Sequence, residues 1–230
     1  GGVQMNPTAI LTALTLATSP VSGGAETLPP EAAAPVIAKL KGVASRANVI
    51  EAIAGMGEVD RAMRISMLEA TRDLAPEIRA KVQAQAGLVI DEQDRAHTER
   101  LKGIIAAHGW PKISETSERT AATAVLIANH SGDIDFQRQV LSLLGPLAKA
   151  REARPEDYAR LYDRVATTDR RPQRYGTQGT TCKEGKYAVP SDLEAPEELE
   201  ARRAAMGLQP MAEYLAVLDK MYGVCVPHPP

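Results

Sequence analysis

Aromatic side chains are nearly missing from this sequence: one Trp, one Phe and six Tyr make up 3% of its 230 residues. A β-sandwich or barrel leans on aromatic and β-branched strands, so that class is excluded. Cysteine is scarce too, with two in the whole chain and neither in a C-x-x-C pair. Without such pairs, or histidines at zinc-ligand spacing, a zinc ribbon or finger is excluded. Charge of one sign is lacking: 27 basic and 29 acidic side chains give a net charge of -2. Nucleic-acid binders carry a basic surplus, and this chain has none. No apolar run reaches the length of a membrane span, and no repeat period is visible.

What is abundant is alanine, with 37 residues in a chain that is 44% apolar. Alanine is the best helix former and lets helices approach closely. The expected fold is all-α, mainly a helical bundle, with a long polar loop or small β-hairpin between the late helices. Three stretches are expected: an N-terminal segment over residues 1–30, a single helical domain over 31–225, and a tail over 226–230.

Ala9 to Ala17 form an apolar run followed by Pro20 and small residues up to Ala25. This has the shape of a secretory signal with a small-residue cleavage region, although no Lys or Arg precedes it. The expected location is therefore exported, periplasmic or secreted. In an oxidising compartment Cys182 and Cys225 would be a disulfide pair.

Helices are expected over Glu31–Asn48, Glu58–Leu74, a segment opening at Pro76 and breaking near Gly87, and Asp91–Ala107. His97 lies among Arg95, Glu99 and Arg100, a setting that suggests a solvated face. Thr116–His130 is apolar around its whole axis, the mark of a central buried helix. Asp133–Ala148, interrupted at Gly145-Pro146, and Pro155–Ala166 follow. The 30 residues from Thr167 to Pro196 show no helical period, and a loop of that length in a compact domain is usually functional. Tyr175–Thr181 and Lys186–Val189 can pair as a hairpin around Glu184-Gly185. Glu197–Met206 and Pro210–Met221 close the chain as two short helices.

Two interior histidines, His108 and His130, end expected helices, where a His either caps carbonyls or is held rigidly for proton transfer. Asp163 and Arg164 fall outside the apolar stripe of their helix. Arg170, Arg171, Gln173, Arg174, Tyr175, Thr177 and Gln178 concentrate cations, amides and hydroxyls, the groups that hold carboxylates and phosphates.

The blocks His108-Gly109-Trp110-Pro111, Asn129-His130, Phe136-Gln137, Asp163-Arg164-Val165 and Gln173-Arg174-Tyr175-Gly176-Thr177-Gln178 stand in that order. Together they resemble an uncharacterised, largely helical bacterial domain family with H-G-W-P, Q-H, F-Q, D-R-V and Q-x-Y-G-T-Q motifs. Asn129 stands where Gln is usual in that pattern, and His97 where Asn is common. The family has no assigned reaction, so the resemblance implies a fold and candidate positions only.

Two functional classes follow. In the first, the protein is an acid–base enzyme of hydrolase or lyase type acting on a small anionic substrate. His108, His130, Asp163 and Tyr175 are then catalytic, and Arg164, Gln173, Arg174, Thr177 and Gln178 bind substrate. No cofactor is expected, although His108, His130 and Asp163 are also the residues that would ligate a metal. In the second, the protein is a non-catalytic ligand-binding or structural module whose same polar residues form a buried hydrogen-bond network. Both classes predict that the loop covers the end of the Thr116–His130 helix, with Arg174, Tyr175 or Gln178 in reach of His130.

Overall fold

The computed structural model describes residues 30–179 and 181–225. The expected signal segment and the final tail lie outside the described residues. The chain divides into two compact units, Gly1–Leu40 and Lys41–Pro230; the core and the clefts lie in the second. Among the described residues there are seven α-helices, a 3-10 turn and one two-stranded hairpin.

Helix α1 (Pro30–Thr71) runs through the gap expected between Asn48 and Glu58. Val49, Ile53 and Met56 lie on one face there and are buried, and their packing outweighs the helix cost of Gly55 and Gly57. Helix α2 (Pro76–His108) likewise passes Gly87 without a break. A lone helical glycine costs only about 1 kcal/mol. Helix α3 (Glu118–His130) starts where Ser117 accepts from the Thr120 N–H. Helix α4 (Ile134–Lys149) is capped by Asp133 and continues through Pro146. That proline removes a single backbone donor near the helix end, while Val140 and Leu144 anchor the same face in the core. Helix α5 (Pro155–Thr168) follows.

Strands β1 (Thr181–Lys183) and β2 (Lys186–Ala188) pair antiparallel, with Cys182 opposite Tyr187. The second is one residue shorter than expected, whereas the first shares only Thr181 with the expected Tyr175–Thr181 strand, whose residues 175–179 are loop; the turn falls at Glu184-Gly185 as the sequence suggests. After the 3-10 turn Pro196–Glu198 come α6 (Leu199–Ala205) and α7 (Met211–Tyr222). Cys182 is bonded to Cys225, 43 residues on, which ties the hairpin to the segment after α7. A loop of that size corresponds to about 4 kcal/mol in the chain-entropy treatment.

Helix α3 is the buried centre. Ala121, Ala124, Val125, Ile127 and Ala128 all face neighbours from α1, α2, α4 and α5, including Met56, Leu101, Val140 and Leu161. Gly57 allows α1 its close approach: a Cβ there would clash with Thr123 Cγ2. No helix among the described residues is long and apolar enough to cross a membrane.

Candidate functional site

The H-G-W-P block ends α2. Gly109 takes φ 77°, a left-handed conformation that favours glycine, and its N–H returns to the Ile105 carbonyl. Trp110 then plugs the main core. His108 is left exposed, with Nδ1 3.3 Å from Ser45 Oγ in a small pocket of about 190 Å³. It shares neither a hydrogen bond nor a pocket with His130 or Asp163 among the described residues.

The long loop is organised by Asp163, which is fully buried on α5. Its Oδ1 accepts the N–H groups of Arg174 at 2.8 Å and Tyr175 at 3.2 Å. Its Oδ2 accepts from the Thr177 N–H and hydroxyl, both at 2.9 Å. Burial pushes this carboxyl's pKa up, and the surrounding donors offset only part of that rise. Gln173, also buried, donates to Asp192 and receives the Gln178 N–H on its Oε1 at 2.9 Å. Buried Arg203 donates to the Tyr175 carbonyl at 2.6 Å, and Arg202 to the Arg174 carbonyl at 2.8 Å. Arg174 itself lies over the Tyr162 ring, 5.8 Å from its centroid. Tyr175 packs edge-on against the same ring. Gln173, Arg174, Tyr175, Thr177 and Gln178 therefore meet Asp163 and one another, and no hydrogen bond joins them to His130 among the described residues.

That corrects the expectation that the loop covers the end of α3. The α3 carbonyls are capped instead from α4: Gln137 Nε2 donates to Ser131 O at 2.7 Å, Asn129 O at 3.2 Å and Ala128 O at 3.3 Å. A buried side-chain amide already supplies the donors the loop was expected to bring.

His130 belongs to a second constellation. Its Nδ1 lies 2.8 Å from Oδ1 of Asp60, a buried carboxylate on α1. Arg64 spans two aspartates, donating to Asp60 Oδ1 and Asp94 Oδ2 at 2.7 Å each. Next to Asp94 on α2 is His97, which is buried, correcting its expected exposure. Its Nε2 contacts the Gln93 amide at 2.8 Å and its Nδ1 has no partner. Burial pushes the His97 imidazole pKa down, against the pull of Asp60 and Asp94.

His130 lines a cleft of about 560 Å³ with Asp91, Asp94, Arg95, Thr98, Glu99, Ser131 and Asp133. With Nδ1 held by Asp60, His130 Nε2 is the nitrogen without a protein partner among the described residues, and the side chain lines the open cleft. Arg164 lines neither this cleft nor the pocket at His108. Its Nε is buried without a partner, and burial lowers its pKa, helped by the nearby charge of Arg64.

Residues 47–227 match the sequence pattern described as a family of unknown function, DUF6624. The chain belongs to that family. The DUF6624 region takes in both constellations, from Asp60 to Arg203. No curated protein and no solved structure matches the chain. Among the described residues no group of three or more His, Cys, Asp or Glu is placed to hold a metal ion. His108, His130 and Asp163 each have different neighbours.

Asp60, Arg64, Asp94 and His97 escaped sequence reasoning, yet a signal for them exists. Val49, Ile53 and Met56 lead to Asp60 at helical spacing, and Ile90, Asp94, His97 and Leu101 do the same on α2. Polar residues in register with a core stripe mark a buried polar cluster.

Proposed function

We propose that this protein is an acid–base enzyme of hydrolase or lyase type, with His130 as the proton-transfer group and Asp60 as its orienting carboxylate. The observation that carries the reading is the 2.8 Å contact between His130 Nδ1 and a buried aspartate, at the wall of an open cleft. A carboxylate on one imidazole nitrogen fixes the tautomer and stabilises the cation that forms, leaving Nε2 as base. Arg64 holds Asp60 in place and balances its charge. The hydroxyls in the cleft are engaged elsewhere: Ser131 Oγ accepts from the Asp133 N–H, and Thr98 Oγ1 donates to the Asp94 carbonyl. With no hydroxyl bonded to His130, activation of water or direct proton abstraction is favoured over a covalent route.

The cleft's walls carry Asp91, Asp94, Glu99 and Asp133 with Arg95; Asp94 is paired with Arg64, and Glu99 and Asp133 with Lys102. So nearly balanced a lining favours a neutral polar substrate over the anionic one expected from the loop. His108, in its own pocket, has no part in this reading. Asp163, Gln173, Arg174, Tyr175, Thr177 and Gln178 act as scaffold in it, because Asp163 and Gln173 are spent on the loop's N–H groups, those of Arg174 and Tyr175 among them. Export is part of the proposal, supported by the Ala9–Ala25 segment and the Cys182–Cys225 bond.

The test is a panel of chromogenic esters, amides and glycosides assayed with the wild type, His130→Gln, Asp60→Asn and His108→Gln. Turnover lost in the first two variants and kept in the third supports the assignment. Turnover that survives His130→Gln refutes it.

A further inference from the structure

A second cleft, of about 610 Å³, lies along α3, and its lining differs from that of the first. Arg61, Arg119, Arg154 and Arg160 line it. Two carboxylates also line it, Glu118 and Asp157, and both are engaged by Arg154. Its Nε and Nη2 reach Asp157 at 2.9 and 2.8 Å, and its Nη1 is 4.0 Å from Glu118. Arg160 shares Asp157 at 3.4 Å. Arg61 and Arg119 have no carboxylate within ion-pair distance among the described residues.

Guanidiniums gathered around one concavity repel one another, and a stable fold without a functional demand usually disperses or pairs them. Here the paired arginine is fixed by a bidentate contact, and the two unpaired ones border the same opening. Asn129 also lines the cleft, with Oδ1 buried and unpartnered. A side-chain amide can present either its oxygen or its NH2 there. Ala122, Val125 and Leu126 of α3 supply an apolar floor.

The sequence places the two clefts side by side. Asp60 serves the histidine cleft and Arg61 the arginine cleft, while Asn129 lines the arginine cleft and His130 the histidine cleft.

We infer that the arginine cleft is a binding site for a small organic anion, a phosphomonoester or dicarboxylate head on an apolar body. Arg61 and Arg119 grip the head, Arg154 and Arg160 set the positive field, and α3 carries the body. The volume suits a ligand of metabolite size. This site does not rest on the acid–base reading of His130, and its test measures binding, so either can fail without the other.

The experiment uses the whole chain, titrated with inorganic phosphate, phenyl phosphate and succinate by calorimetry and by melting temperature. Potassium chloride at matched ionic strength is the reference. Saturable binding is expected, with phenyl phosphate tighter than inorganic phosphate. Each of Arg61→Gln and Arg119→Gln should weaken it about tenfold, the worth of one charge-assisted hydrogen bond. Lys183→Gln removes equal charge from the hairpin, which does not line the cleft, and should leave affinity unchanged. Phosphate binding with no response to succinate assigns a phosphomonoester, and the reverse assigns a dicarboxylate. No saturable binding of any probe overturns the proposal, as does equal loss in the lysine variant. Arg119 is exposed and without a side-chain partner, so Arg119→Gln stays informative if Arg61→Gln fails to fold.

Discussion

Asp60 and His130 meet at 2.8 Å although 70 positions separate them, one in the last third of α1 and the other the last residue of α3. The contact joins two side chains with ordinary sequence surroundings into one hydrogen-bonded pair. It also makes their contributions to stability unequal. Asp60 receives both His130 and Arg64 in a buried position, whereas His130 borders the open cleft.

Asp60→Ala is therefore expected to destabilise the fold by about 3 kcal/mol, the usual result of stranding one partner of a buried ion pair. His130→Ala should cost no more than about 1 kcal/mol, because Asp60 keeps Arg64. Urea denaturation of the two variants measures both. Equal losses would show that the pair is primarily a structural strut.

Asp163→Ala should be more damaging than any substitution in the loop itself. It strands the N–H groups of Arg174, Tyr175 and Thr177 and the Thr177 hydroxyl, so a loss of roughly 3 kcal/mol is expected. Limited proteolysis between Arg170 and Pro196 should become fast. Arg164→Gln, by contrast, relieves a guanidinium that burial and Arg64 both disfavour, and should leave the melting temperature unchanged or raised.

The buried imidazole of His97 gives a pH dependence whose sign follows from its direction of shift. Folding lowers its pKa below the ordinary 6.5, chiefly through burial. Above 6.5 it is neutral in both states and its contribution is complete. As pH falls from 6.5 toward the folded value, the unfolded chain takes up the proton first and stability is lost. In denaturation curves at pH 7 and pH 5, His97→Asn should lose less stability on acidification than the wild type. An identical loss in both proteins would mean that His97 does not titrate in this window.

Gly57→Ala tests the crossing of α1 and α3. Alanine is the better helix former by about 1 kcal/mol, so an open site would gain stability. Here the new Cβ would clash with Thr123 Cγ2, on a short β-branched side chain with little freedom to move. A net loss of about 1–2 kcal/mol is expected from overpacking. Gly57→Ala/Thr123→Ser, which removes the offending methyl, should recover most of it by thermal melting.

Much of this protein is legible without coordinates. Alanine content and helical periodicity determine the all-α class. An apolar surface on every side of Ala121–Ala128 determines which helix is central, because no face of it suits water. Glu184-Gly185 sets the hairpin turn, since both take positive φ. What periodicity cannot supply is which polar residues are buried together. Asp163 looks solvated on its own helix, and only the returning loop covers it. Gln137, one turn into α4, decides how α3 is capped and leaves the loop free to pack on α5 instead. Asp60, Asp94 and His97 interrupt apolar stripes on two helices, but their meeting with His130 depends on how α1, α2 and α3 cross. Local sequence sets the elements through short-range sterics and hydrogen bonding. The site is set by packing between elements far apart in the chain, where burial turns ordinary charges into a coupled cluster.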